Sequence, residues 1–147
     1  MERRTLITVL SLLWLAFAEN AAAQSLPSSL PSLSNPLMST LMKSLGVTQN
    51  QAEGGVGSIL TLAKEKLAKG DFDKIAAVIP GASKYLEKAK SLGAVAGPLV
   101  NAAGLNGALA KLGIDAATAA KFIPAVTSFV GKAGGSRLGA LLGSALK

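Results

Sequence analysis

Few residues in this chain are able to do chemistry. Its 147 residues include no Cys and no His. That removes thiolate nucleophiles, thiolate metal sites, disulfides, the commonest metal ligand and the usual general base near neutral pH. The acids beyond residue 23 are Glu53, Glu65, Asp71, Asp73, Glu87 and Asp115. A hydrolase would have to use paired carboxylates or an activated Ser or Lys, and Asp71 with Asp73 is the nearest pair. Acids placed at a helix start more often serve the cap and the macrodipole. Gly54-Gly55-Val56-Gly57 has neither a following Lys-Ser/Thr nor a preceding strand, so it is not a phosphate loop. The residues predict no catalytic, cofactor-binding or metal-binding site and a non-enzymatic protein.

The N-terminus carries an address. Arg3 and Arg4 precede Thr5–Ala18, 14 residues without a charge. The small residues Ala21 and Ala23 then fit the side-chain pockets of signal peptidase. The apolar run is shorter than the roughly 20 residues of a membrane span. Residues 1–23 therefore read as a cleavable signal peptide with Ala21 and Ala23 as its recognition residues, a cut after Ala18 being the alternative. Without a Cys there is no lipid attachment, and the expected destination is the periplasm or the exterior. Residues 24–36 (QSLPSSLPSLSNP) are rich in Ser and Pro and read as a disordered tether.

The elements beyond the tether all carry helical punctuation. The spacing predicts an all-α domain over 37–147, a small bundle of about six or seven short amphipathic helices. Leu37–Leu45 forms a helix that Gly46 ends in the left-handed conformation. Thr48 and Gln51 make a capping box for the next helix. Val56, Ile59, Leu60, Ala63 and Leu67 form its buried stripe, with Lys64, Glu65 and Lys66 outside it. Gly54, Gly55 and Gly57 predict a fray or kink in its first turns. Gly70 stops that helix, Asp71 caps the following one, and Pro80-Gly81 breaks it. A helix over Ser83–Leu92 comes next. Pro98 then opens a helix running to about Leu112. Asp115 caps another, in which Pro124 makes a kink or division. Ser136 caps the last.

Two segments align without gaps: Asp71–Ala89 (DFDKIAAVIPGASKYLEKA) on Asp115–Ala133 (DAATAAKFIPAVTSFVGKA). Shared Asp, Ile-Pro, aromatic and Lys-Ala positions predict an internal helix-Pro-helix repeat. Gly131, Gly135, Gly139 and Gly143 recur every four residues. That spacing suits either self-association or close packing inside the domain, and the expectation is internal packing. Ser91–Ala110 holds 20 uncharged residues but includes Pro98, Asn101 and Asn106, and reads as a buried helix with flanking loops.

The net charge of +7 comes mostly from lysines spread along helices. Past residue 23 there is one Arg (Arg137), and only Phe72, Phe122, Phe129 and Tyr85 supply aromatic rings for stacking, which makes nucleic acid an improbable partner. Weak attraction to an anionic membrane surface follows from the charge.

The run from Leu45-Gly46-Val47-Thr48 through Gln51-Ala52-Glu53-Gly54-Gly55, Gly70-Asp71-Phe72, Ile79-Pro80-Gly81-Ala82, Leu112-Gly113-Ile114-Asp115 and Gly134-Gly135 resembles the VcgC/VcgE family of exported bacterial proteins. The resemblance implies a helical domain in a Gram-negative envelope and assigns no activity. Taken together, the expectation is an exported interaction or structural protein. Its partner would be a protein or other envelope component, and a membrane-associated basic helical protein is the alternative.

Overall fold

In a computed structural model the described residues are 35–147. Ala21, Ala23, the rest of the expected signal peptide and nearly all of the expected tether lie outside them. Seven helices follow one another and no strand occurs among the described residues: α1 Pro36–Leu45, α2 Gln49–Lys66, α3 Lys69–Val78, α4 Ala82–Ser91, α5 Ala102–Lys111, α6 Ala116–Gly134 and α7 Ser136–Ala145. The all-α bundle expected from the punctuation is the fold.

The first helix starts slightly before Leu37, at Pro36. The Asn35 carboxamide oxygen caps α1 by accepting from the Leu37 amide at 3.1 Å, and Pro36 fills the first turn. The Asn35 amide nitrogen donates to the Pro80 carbonyl at 3.0 Å and also meets the Tyr85 hydroxyl. One side chain thus caps a helix and ties it to a turn 45 residues away in sequence. Gly46, at φ 66°, ends α1 as expected.

The central helix is α2, which touches every other helix. Its Thr48–Gln51 capping box is present. All ten residues from Gly54 to Ala63 are buried, so the single stripe expected from the spacing is instead burial on every side. Such a helix needs small residues where neighbours cross it and partners for its hydroxyls. Ser58 and Thr61 each donate to the carbonyl four residues back, Gly54 and Gly57 respectively, both at 2.8 Å.

The expected fray at Gly54, Gly55 and Gly57 does not occur, because α2 is continuous there. A Cβ on Gly57 would lie 2.6 Å from the Tyr85 carbonyl carbon and 2.8 Å from the Ala89 Cβ. At Gly55 it would meet the Phe122 ring at 2.6 Å. These glycines lower intrinsic helix propensity but let α4 and α6 approach the α2 backbone, and packing outweighs propensity. Around them, Leu37, Leu41, Ile59, Leu60, Leu105, Leu109, Phe122 and Leu142 are fully buried. Each is worth about 1.5–3 kcal/mol of transfer free energy.

Other boundaries differ from expectation for identifiable reasons. α2 ends at Lys66, ahead of Gly70. α3 starts after Ala68, so Asp71 stands in its first turn and is not its cap. There it favours the positive end of the helix dipole. Pro98 lies in the irregular segment 92–101, while Asn101 caps α5 by accepting from the Gly104 amide at 2.8 Å. Gly135 (φ 95°) precedes α7, and Ser136 is its first helical residue, not its cap.

The two aligned segments do not fold alike. Ile79-Pro80-Gly81 separates α3 from α4, with Gly81 at φ 81°, whereas Ile123-Pro124-Ala125 lies within the uninterrupted α6. Proline sits at the same place in both. The deciding residue is the next one, since Gly81 takes a left-handed conformation that is costly for Ala125.

The spaced glycines are used inside the domain. A Cβ on Gly139 would lie 2.9 Å from the Gly131 Cα and 3.1 Å from the Thr127 carbonyl oxygen. Gly135 turns the chain between α6 and α7, which pack closely as an antiparallel pair. Among the described residues no helix is long and apolar enough to cross a membrane. Residues 91–110 contain the last residue of α4, an irregular loop and most of α5.

Candidate functional site

The carboxylates are dispersed. Glu53 accepts from the Gln49 side chain at 2.8 Å, Asp71 pairs with Lys74 at 3.8 Å, and Asp73 and Glu87 are exposed. Asp115 accepts from the Thr118 amide at 3.3 Å as the cap of α6. Hydrogen bonding from Thr118 holds its carboxyl below the usual range. Asp71 and Asp73 are therefore parts of a helix start, one of them engaged with a lysine.

Concave surface occurs elsewhere. The C-terminal half of α2, α4 and the loop 92–101 enclose a cleft of about 740 Å³. From α2 it takes Thr61, Lys64 and Glu65, and from α4 it takes Leu86 and Lys90. The loop contributes the stretch from Val95 to Pro98. The size falls in the range typical of small-molecule sites.

The local sequence explains how this wall is held. After Ser91 the chain turns through Gly93 at φ 71°, and the Ala94 and Val95 amides both donate to the Ala89 carbonyl, at 3.1 and 3.3 Å. Ala94 and Val95 are thereby tucked against Ala89 and Ala108 in a small second core. The rest of the loop turns outward. Ala96, Gly97 and Pro98 are exposed, and Val100 keeps 63% of its surface in solvent.

On the opposite wall Thr61 is almost completely buried, and its hydroxyl proton is committed to the Gly57 carbonyl. The charged groups of the lining are Lys64, Lys90 and Glu65. The one ion pair within 4 Å among the described residues is Lys74–Asp71, so neither cleft lysine is paired with a carboxylate of those residues. The local balance is net positive, beside apolar surface from Leu86, Val95 and Pro98. Tyr85, next to Leu86 in α4, is buried, and burial followed by the negative charge of Glu53 pushes its phenol above the ordinary tyrosine range.

A second, shallower cleft of about 500 Å³ lies between α3 and α7, with Asp71, Lys74, Arg137 and Leu138 in its lining. Its one acid is already engaged with Lys74. The first cleft has the larger volume, and both its cations are free of carboxylate partners among the described residues.

Sequence reasoning placed Lys64 and Glu65 on a solvated face and did not bring them together with Lys90 or Pro98. The available signal was the uncharged stretch 91–110 directly after the lysine-rich α4. An irregular segment with no charge of its own has to lie against other apolar surface or offer its surface to a ligand.

The fold and the cleft define a small all-helical domain built around a buried, glycine-crossed helix and presenting a cleft lined by two lysines and a few apolar side chains. The chain belongs to the family described as protein of unknown function VcgC/VcgE (DUF2780), whose model matches residues 15–147. The match begins well upstream of Leu45, where the resemblance in the sequence begins. Comparison with curated proteins and with solved structures finds no match.

Proposed function

We propose that this chain is an exported, non-enzymatic binding protein of the bacterial envelope, periplasmic or secreted, and that the α2–α4 cleft is its contact site. The observation that carries the reading is the cleft itself: about 740 Å³, with Lys64 and Lys90, unpaired among the described residues, beside Leu86, Val95 and Pro98. The charged n-region, the 14-residue apolar run and the Ala21/Ala23 pair support export. The lack of His and Cys, with the acids dispersed and Asp71 and Asp115 engaged in a pair and a cap, favours binding over turnover. Mild crosslinking in the envelope fraction, with wild type beside a Lys64→Glu/Lys90→Glu variant, tests it. Adducts that disappear in the variant are expected. Adducts identical in both proteins would overturn the assignment of the cleft. Hydrolase turnover abolished by substitution of a single acid would overturn the non-enzymatic reading.

Membrane association is a second reading, favoured by Val100 at 63% exposure and Leu92 at 36% in one uncharged loop. Exposed apolar residues beside lysines suit the surface of an anionic bilayer. Co-flotation with anionic liposomes at low salt supports this reading, and its absence dismisses it.

A further inference from the structure

We infer that the cleft between α2, α4 and the loop 92–101 binds an anionic amphiphile, an apolar chain carrying one carboxylate or phosphate head. The inference rests on the binding function proposed for this cleft and adds the chemical class of its ligand. Three observations carry it.

The first is charge. Among the described residues Lys64 and Lys90 line the cleft without carboxylate partners within 4 Å, and Glu65 is the one acid in the lining. Two ammonium groups against one carboxylate complement an anion and disfavour a cation.

The second is the shortage of other polar side-chain donors. Thr61 has committed its hydroxyl to the Gly57 carbonyl, and Pro98 has no amide hydrogen. A peptide backbone would bring many polar groups and would find few side-chain partners here. No strand among the described residues offers an edge for it to extend. A ligand whose polarity is concentrated at one end has no such difficulty.

The third is the apolar surface. Leu86, Val95 and Pro98 supply it within one cleft of about 740 Å³. That volume accepts a single chain and is small for a folded partner.

Dodecanoate below its micelle concentration is the probe, titrated calorimetrically into protein purified after expression of the full chain. Saturable binding is expected. Dodecyltrimethylammonium, with the same tail and the opposite head, is expected not to bind. Lys64→Glu and Lys90→Glu, both at exposed positions, should each weaken dodecanoate roughly tenfold. Lys121→Glu, on α6 and outside the lining, should leave it unchanged. Absence of dodecanoate binding would overturn the inference. Equal affinity in the two cleft variants and the wild type, or equal affinity for both head groups, would overturn it as well.

Phosphatidylglycerol vesicles separate the two sources of such a ligand. Co-flotation reversed by excess dodecanoate identifies a bilayer lipid, and dodecanoate binding without flotation identifies the free acid. Loss of envelope crosslinking in the charge-reversed variant together with failure to bind dodecanoate would leave the binding function standing and refute the ligand class alone.

Discussion

Replacing Gly57 with Ala tests whether the glycines of α2 are there for contact. An added Cβ would lie 2.6 Å from the Tyr85 carbonyl carbon, closer still to its oxygen, and 2.8 Å from the Ala89 Cβ. Carbon atoms in contact sit about 3.5–4.0 Å apart, so α4 would have to retreat by roughly 1 Å. Two of the obstructing atoms are backbone and cannot be relieved by a rotamer change. Overpacking of this sort costs about 1–3 kcal/mol, at the upper end where backbone must move, while Ala in place of Gly returns about 1 kcal/mol of helix propensity. The net expectation is a loss of about 2 kcal/mol. At about 4 °C per kcal/mol for a domain of this size, Tm falls by roughly 8 °C.

Circular dichroism melts of wild type, Gly57→Ala and Gly107→Ala provide the assay. Gly107 is also helical, but nothing lies within 4 Å of its added Cβ, so its replacement should raise stability by up to about 1 kcal/mol. Opposite shifts for the same chemical change isolate packing from propensity. A Gly57→Ala protein as stable as the wild type or more so would refute the close crossing of α2 and α4. Leu86 and Lys90 ride on α4, so the same substitution should also weaken ligand binding in the cleft.

Further outcomes follow from other contacts. The phenol of Tyr85 ionises with difficulty in the folded protein, so folding holds its proton above the unfolded pKa of about 10. The folded state then binds more protons than the unfolded state above that pH, and stability falls as pH rises from about 10 through the folded pKa. Urea melts between pH 8 and 11 should show this fall, and Tyr85→Phe should flatten it. Because this is the sole tyrosine, absorbance near 295 nm should report a titration above the ordinary range. Asn35→Ala removes the α1 cap together with the links to Pro80 and Tyr85, and should cost about 1–2 kcal/mol in urea melts. An unchanged midpoint would show that these bonds add nothing.

Local punctuation was readable from the residues because its chemistry is local. Gly46 ends α1, Thr48 with Gln51 opens α2, and Asp115 opens α6, each by a hydrogen bond or dihedral within a few residues. The all-α architecture and the internal use of Gly131 and Gly139 were readable too, since periodicity and side-chain size carry them.

What failed was decided at long range. Gly54, Gly55 and Gly57 look like weak helix until α4 and α6 are laid across them. The ten-residue uncharged stretch from Gly54 to Ala63 is the sign that this helix is enclosed. The aligned pair around Pro80 and Pro124 misled because similarity of letters hid the one substitution that matters, Gly81 against Ala125. The cleft was invisible for a related reason. Lys64, Leu86 and Pro98 meet only after α2, α4 and the loop have packed, and none of them is unusual in its own segment.

The most direct test of the account is residue-resolved mapping of the binding surface by NMR, titrating dodecanoate into isotope-labelled protein. The amides of Thr61, Lys64, Leu86, Lys90 and Val95 should move together along one saturation curve, and those of Asp71, Lys74 and Arg137 in the second cleft should stay in place. Perturbations confined to Val100 and its exposed neighbours, or centred on the α3–α7 cleft, would contradict it.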